Sequence, residues 1–329
     1  MLIEMRRTYW VLCSTMVAVA AACVGSDPEP VNPAGDGGAS SSSGSSDASS
    51  PGSSDASSSD APADAGCDPA APFADGKVLP LVVTPDDGRT PSEPTLSTDE
   101  LTMYVGRGKP TGESSIYVAL RGRVEDNFGP PTAVDLQPKA NMYSPTLSAD
   151  GLRLAFQVET ASGLRIGLAK RNAVNEEFTT WTQLELGADS QGTPKLASDG
   201  LYFSAGRIEG GVLTQPFQSY RAPFDGADGF GTPEKITTLE LATLSTTALV
   251  LTSDRTYAYF QSDRPNGGDN GGSFDMFRAK SIGAGWGDVQ PLANLNSPGN
   301  DRVGWLSPND CRLYYTSGDG DSKIYVASR

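Results

Sequence analysis

The sequence predicts an all-β fold, a five-bladed β-propeller built from four-stranded blades. An element similar to Leu-Ser-x-Asp-Gly recurs five times, and two short segments rich in aromatic and β-branched residues follow each copy. Leucines that mark the copies lie 51, 49, 55 and 55 residues apart, at Leu96, Leu147, Leu196, Leu251 and Leu306. Repeats of about 50 residues with several strands each are typical of propeller blades.

A fourth strand in each repeat is indicated by an aromatic residue ahead of a short apolar segment. In the first four repeats this pattern starts at Phe128, Trp181, Phe230 and Trp286. The fifth repeat ends at Arg329 without it, but Phe73 followed by residues 77–81 shows the same pattern ahead of the first repeat. We therefore expect the N-terminal strand to complete the last blade, which closes the ring and pairs an open sheet edge.

Residues 1–22 have the pattern of a bacterial signal peptide. Arg6 and Arg7 precede an apolar run that is too short to span a bilayer and that ends in small residues before Cys23. Ala-Ala-Ala-Cys at 20–23 resembles the lipobox of bacterial lipoproteins, which implies that Cys23 carries a lipid. The alternative is ordinary cleavage, which would release a soluble protein.

Residues 23–72 are predicted to form a disordered tether ahead of the propeller domain, residues 73–329. The stretch is rich in Ser, Gly, Ala, Asp and Pro, and it has too few apolar side chains to offset the entropy of ordering. As a flexible coil, residues 26–72 would have a root-mean-square reach of roughly 35 to 40 Å. This suits an exported domain that is held off a membrane, with the outer membrane, facing the periplasm or the surface, as the expected location.

Composition argues against several classes of function. The chain has 25 Lys and Arg against 40 Asp and Glu, a net charge of -15, and an acidic surface repels nucleic acid. It has no histidine, so the usual general base, the Ser-His and Cys-His pairs and the commonest zinc ligand are missing. We expect a monomer with no catalytic residue, no cofactor and no metal.

Cys67 and Cys311 are predicted to form a disulfide. Of the four cysteines, Cys13 leaves with the signal peptide and Cys23 takes the lipid. Cys67 precedes the closing strand, and Cys311 lies in the first hairpin of the blade that this strand would complete. An oxidising periplasm favours their pairing. The alternative is two unpaired thiols.

The repeat resembles the WD40-like repeat of TolB-type β-propellers, whose core reads roughly Pro-x-Φ-Ser-Pro-Asp-Gly-x-x-Φ-x-Φ. Residues 144–156 and 194–203 match this core. Residues 262–268, followed by 274–277, are similar to the Ser-Asp-Arg-x-Gly-Gly…Tyr-Asp-Ile-Tyr signature of the same family. The resemblance covers nearly all of residues 73–329 and implies the propeller fold. The sequence shows no α/β domain, peptidase or peptidoglycan-binding module of the kinds found in family members, so we expect a binding or scaffolding role outside the Tol system.

The candidate binding site lies where the innermost strand of each blade begins, because these strand starts surround one mouth of the central channel. Polar residues occupy or flank these positions. The predicted ligand-contact residues are Glu93, Tyr143, Gln191, Arg264, Asp301 and Arg302. Such a set suits an envelope protein, peptide or glycan, and simple solvation of the channel is the alternative.

Acidic residues support two further interpretations. Asp99, Asp150, Asp199 and Asp254 occupy tight turns, so we expect them to serve backbone geometry. The rival function is that of a carbohydrate-active enzyme, because five-bladed propellers also include glycosidases. Such enzymes need two carboxylates about 5 to 9.5 Å apart, and the candidates for this pair are Glu93, Asp263 and Asp301.

Overall fold

The computed structural model describes residues 66–80, 88–109, 112–187, 189–226, 229–265, 273–318 and 321–329. The predicted signal peptide, the lipidation site Cys23 and most of the predicted tether lie outside these ranges. No helix in the described ranges is long and apolar enough to cross a membrane.

Five antiparallel sheets form the blades of a β-propeller, which confirms the predicted fold. The first strand, β1 (Lys77–Val78), belongs to the last blade. Blade 1 contains β2 (Thr90–Leu96), β3 (Thr102–Gly108), β4 (Ser114–Leu120) and β5 (Thr132–Ala133). Blade 2 contains β6 (Met142–Leu147), β7 (Arg153–Thr160), β8 (Gly163–Lys170) and β9 (Trp181–Gln183).

The other three blades repeat this order. Blade 3 contains β10 (Ser190–Ala197), β11 (Gly200–Glu209) and β12 (Val212–Asp225), with β13 (Gly229–Phe230) and β14 (Glu234–Lys235) both paired to β12. Blade 4 contains β15 (Thr246–Leu251), β16 (Tyr257–Ser262), β17 (Asp275–Ile282) and β18 (Gly285–Pro291). Blade 5 contains β19 (Asp301–Leu306), β20 (Arg312–Ser317), β21 (Lys323–Ser328) and β1. A short 3-10 helix spans Thr237–Leu239.

The ring closes as the sequence predicts. The inner strands β2, β6, β10, β15 and β19 contact one another in this order, and β19 contacts β2. Lys77 pairs with Val326 and Val78 with Tyr325 in an antiparallel register, so β1 completes blade 5. The predicted disulfide is present between Cys67 and Cys311, with Cα atoms 5.0 Å apart. The chain therefore contacts blade 5 from Cys67 onward, within the segment that the sequence assigned to the tether.

The hydrophobic core is divided among the interfaces between neighbouring blades. In the second strands of the blades, runs of consecutive residues are buried because both faces of a blade are covered, and the buried side chains of one blade pack on those of the next. Each interface has one cluster, with members such as Tyr104 and Leu154 (blades 1 and 2), Ile166 and Leu201 (2 and 3), Tyr202 and Leu249 (3 and 4), Tyr259 and Leu313 (4 and 5), and Tyr314 and Met103 (5 and 1). A blade is therefore stable only beside its neighbours.

The turn aspartates have the structural role that the sequence predicts, with one exception. Asp99 accepts hydrogen bonds from the Ser97 hydroxyl and from the backbone N–H of Leu101, at 3.0 Å for the latter. Asp150 and Asp254 make the same two kinds of contact in their turns. Asp199 differs because Ala197 replaces the turn hydroxyl, and its carboxylate contacts other side chains instead.

Candidate functional site

The predicted ligand-contact residues at the starts of the inner strands are mostly held by the fold itself. Gln191 is buried and donates to the carbonyl of Gly187 at 3.1 Å. Asp301 is buried and accepts from the backbone N–H of Ser297 at 2.6 Å. Arg264 donates to the Ser262 hydroxyl at 3.0 Å and lies over two aromatic rings of blade 4. Tyr143 and Arg302 are half-buried. The ligand contacts of these residues remain a prediction.

Glu93 is a buried carboxylate on the inner strand of blade 1. It is 2% exposed and accepts a hydrogen bond from the hydroxyl of Ser144 at 2.7 Å. Burial raises the pKa of Glu93, but the charges of Arg302 and Lys195, together with the Ser144 hydrogen bond, hold the pKa below its ordinary value. Two of the predicted residues, Glu93 and Arg302, thus interact electrostatically, and Glu93 also interacts with a residue that the sequence did not single out.

That residue is Lys195, which crosses the central channel. It starts on the inner strand of blade 3, and its ammonium donates to the carbonyl of Gly304 in blade 5 at 2.7 Å. Blades 3 and 5 are not neighbours, so the side chain spans the channel between them. Burial lowers the pKa of Lys195 to about 8, against the opposing effect of Glu93.

A cavity of about 190 Å³ lies beside Lys195, at the end of the channel where the inner strands finish. We call it the channel cavity. Its lining comes from the second halves of the inner strands and the turns that follow them, namely Thr146, residues 195–198, residues 249–253, Arg255 and residues 304–306. The charged residues in this lining are Lys195 and Arg255, with no carboxylate among the lining residues. None of the six predicted ligand-contact residues is part of it.

A sequence signal for Lys195 exists in the repeat itself. The residue directly before the marker leucine is, in the order of the five repeats, Thr95, Thr146, Lys195, Val250 and Trp305. In blades 1 and 2 this threonine accepts a hydrogen bond from the backbone of the next inner strand, at 3.1 and 3.0 Å. Lys195 puts a long, positively charged side chain at a position where blades 1 and 2 make contacts between inner strands. This indicates a side chain that enters the channel.

The carboxylates proposed for a glycosidase pair have different surroundings. Asp263 accepts from the backbone N–H of Ser245 at 2.7 Å, at the entry to the inner strand of blade 4, and burial raises its pKa. Glu93 has a lowered pKa and sits among positive charges. Asp301 is held by Ser297. In the part of the chain that the structure describes, no three Cys, Asp or Glu side chains are grouped so that they could hold a metal ion.

The pH dependence of stability provides a test of the Lys195 environment. Below pH 8 the residue is protonated in the folded and the unfolded chain, whereas between about pH 8 and 10.5 only the unfolded chain keeps the proton. The free energy of unfolding therefore rises with pH over this window, by about 3 kcal/mol for this one group. We expect wild type to gain this amount relative to Lys195→Met between pH 7 and 10.5, measured by urea denaturation. A difference that stays flat or falls with pH would contradict the buried, charged lysine.

The closed ring of five blades places the protein in the class of five-bladed β-propellers. Solved structures with a similar fold include a putative glycoside hydrolase from Bacteroides ovatus and the catalytic domain of the GH62 α-L-arabinofuranosidase from Coprinopsis cinerea. Each has 12% identity and a TM-score of 0.51, over 78% of this chain and 96% of the other.

A TolB from Acinetobacter baumannii is also similar, with 15% identity and a TM-score of 0.45 over 73% of this chain. The chain spans 55% of the length of that TolB. No protein-family model matches the sequence, and no curated protein matches it. At these identities the likeness shows the fold.

Proposed function

We propose that this protein is a membrane-tethered binding or scaffolding module of the cell envelope, whose propeller holds an envelope protein, peptide or glycan in the channel cavity. The observation that carries the proposal is the position of Lys195, a buried ammonium in the wall of a cavity that four blades line. The tether and the lipid on Cys23 rest on the sequence pattern of residues 1–72.

An ammonium has three hydrogen-bond donors, and Lys195 uses one of them on Gly304 within the described part of the chain. A buried charged group is costly, and the pKa of Lys195 stays lowered even with the carboxylate of Glu93 acting on it, so Glu93 offsets this cost only in part. An acceptor on a ligand in the cavity would compensate it. Lys195 is therefore better explained as a ligand-binding group than as a stabilising one.

The proposal is tested by capture from envelope extract with the full-length chain as bait. We expect Lys195→Met to lose the protein or glycan that wild type retains, whereas Lys139→Met, which removes an exposed lysine paired with Asp135, keeps it. The double variant Glu93→Ala/Arg302→Ala tests the predicted contacts at the strand starts, and it is compared with Lys195→Met because Glu93 also acts on Lys195. Retention of the same material by all variants would contradict a site in the channel, and Cys23→Ser should release the chain from membranes if the cysteine is lipidated.

A second candidate function is glycoside hydrolysis. It is favoured by Asp263, whose raised pKa suits a general acid, next to a channel in which Glu93 stays ionised. The fold is also shared with proteins described as glycoside hydrolases. Release of reducing sugar from arabinoside substrates by wild type, lost in Asp263→Asn, would favour this function over binding alone.

A further inference from the structure

Three of the interfaces between blades share a contact that we call the Arg–Tyr clasp. An arginine directly after the third strand of one blade donates to a tyrosine hydroxyl on the second strand of the preceding blade. The pairs are Arg121 with Tyr314 at 3.0 Å, Arg171 with Tyr104 at 3.4 Å, and Arg329 with Tyr259 at 2.8 Å. Each guanidinium also lies over a phenylalanine ring, at 4.4 to 4.5 Å from its centre.

The clasp is missing between blades 3 and 4. Ser281 occupies the arginine position, because its backbone N–H bonds to the carbonyl of Thr256 just as that of Arg121 bonds to Leu101. The tyrosine of the pair, Tyr202, is present, but its hydroxyl donates to Asp199 instead. Between blades 2 and 3 the arginine is also replaced, there by Phe224, whose ring stacks on Phe230.

A cleft of about 490 Å³ lies at this interface of blades 3 and 4, and its lining includes Tyr202, Ser281 and Trp286. We call it the blade 3–4 cleft. It shares Leu251 and Arg255 with the channel cavity, so the two spaces adjoin. The channel cavity alone is small for a ligand site, whereas the two together fall within the range of about 300 to 1,000 Å³ that ligand pockets have.

Asp199 in the cleft has an acceptor with no donor. Its Oδ2 atom receives hydrogen bonds from Tyr202 at 3.1 Å, Arg221 at 2.9 Å and Arg255 at 3.1 Å. Its Oδ1 atom is buried and has no hydrogen-bond partner among the described residues. A buried acceptor without a donor is unfavourable, which makes the Asp199 side chain a strained part of the cleft wall. Glu234, Thr238 and Ser281 line the same cleft and offer hydrogen-bonding groups to the hydroxyls of a sugar. Trp286, which is half-buried, lines the same cleft, and the C–H face of a sugar ring can pack on an aromatic ring.

The channel cavity adds a preference for negative charge. Lys195 and Arg255 are its charged lining residues, in a protein whose net charge is -15. Arg255 stands between the two spaces, where it bonds to Asp199 and to the hydroxyl of Ser198 at 2.9 Å. A ligand that fills both spaces would therefore place a carboxylate toward Lys195 and hydroxyl groups toward Asp199.

We propose that the blade 3–4 cleft and the channel cavity together bind a short acidic oligosaccharide, with the carboxylate of a uronic acid unit at Lys195 and an adjoining sugar ring between Asp199 and Trp286. This inference rests on the proposed binding function and gives its ligand class. An acidic peptide has fewer hydroxyl groups than a sugar for the polar side chains that line the cleft, so the sugar is the better match.

The test uses the full-length chain and calorimetric titration with trimers of galacturonate and of β-1,4-linked glucuronate. Galactotriose and cellotriose serve as their neutral counterparts. We expect wild type to bind at least one acidic trimer at least tenfold more tightly than its neutral counterpart, and Lys195→Met to abolish this preference.

Ser281→Arg tests the cleft more directly than Lys195→Met. We expect the new arginine to form the clasp with Tyr202 and to fill the cleft without removing a native contact of Asp199. We expect it to remain folded, with a melting temperature at or above that of wild type, and to bind the acidic trimer at least tenfold more weakly. Ser162→Arg, in an exposed turn of blade 2, is the matched control and should bind as wild type does.

Each result separates this inference from the proposed function. Equal affinity for acidic and neutral trimers, or unchanged affinity in Ser281→Arg, overturns the inference. If no trimer binds but envelope material is still captured in a Lys195-dependent way, the ligand class is wrong and the binding function stands. If no trimer binds and capture does not depend on Lys195, both fail.

Discussion

The double variant Cys67→Ser/Cys311→Ser is expected to have a free energy of unfolding about 5 kcal/mol lower than that of the oxidised wild type. The disulfide joins residues 244 apart in sequence, and the chain-entropy model gives a stabilisation of about 5 kcal/mol for so long a loop. Equilibrium urea denaturation, followed by tryptophan fluorescence, measures the difference.

The size of this effect follows from how the ring is closed. The strand that completes blade 5 has two residues, Lys77 and Val78, so it contributes few hydrogen bonds of its own. The disulfide, together with the hydrogen bond from the N–H of Cys67 to Asn309 at 2.9 Å, holds the chain just ahead of it. Without the covalent link, the closing strand is the first element that we expect to detach.

A reductant provides the control. It should lower the denaturation midpoint of wild type to that of the double variant and leave the midpoint of the double variant unchanged. Equal midpoints for the oxidised wild type and the double variant would show that the strand pairing, and not the disulfide, closes the ring.

The architecture could be predicted because each blade is a local unit of the sequence. Four consecutive strands form one sheet, so the spacing of the repeats gives the number of blades directly. The position of Phe73 in the sequence predicted that the N-terminal strand completes the last blade. In the structure the phenyl ring of Phe73 packs between blades 4 and 5. The outer edge of blade 3 departs from the pattern, because the segment that begins at Gly229 divides into two short pairings and a 3-10 helix.

The residues that line the channel could not be predicted by alternation along the strands, because each inner strand contains a bulge. The pairing of every inner strand with its neighbour shifts register, for example between Tyr143 and Thr146 and between Gly192 and Lys195. A bulge adds one residue to the strand, so side chains beyond it change face relative to a regular alternation. The starts of the strands, where Glu93 and Arg302 lie, were identified, but Lys195 lies after the bulge.

The blade 3–4 cleft could not be predicted from the sequence for a different reason. It results from the loss of one contact, the Arg–Tyr clasp, and the importance of Ser281 appears only when the arginines of the other blades are seen to reach across an interface. Asp199 was grouped with the turn aspartates because its local sequence matches theirs. The neighbouring blade supplies Arg255, and this contact changes its role.

Glu100→Gln is expected to lower the free energy of unfolding by about 3 kcal/mol. Glu100 is 3% exposed and accepts hydrogen bonds from Arg312 and from the Tyr314 hydroxyl, and its carboxylate lies 3.8 Å from the buried guanidinium of Arg121. Removing one charge from a buried pair leaves the other uncompensated, at a cost of about 3 to 5 kcal/mol. Urea denaturation at pH 7 measures the loss.

Glu113→Gln is the matched control, because Glu113 forms an exposed pair with Lys109 at 3.1 Å and should change stability by less than about 0.5 kcal/mol. Glu100 belongs to blade 1 and Arg312 to blade 5, so this network holds the ring at the interface where its ends meet. The disulfide acts within blade 5 alone. If Glu100→Gln is as mild as Glu113→Gln, closure depends on blade 5, and the interface between the first and last blades adds little.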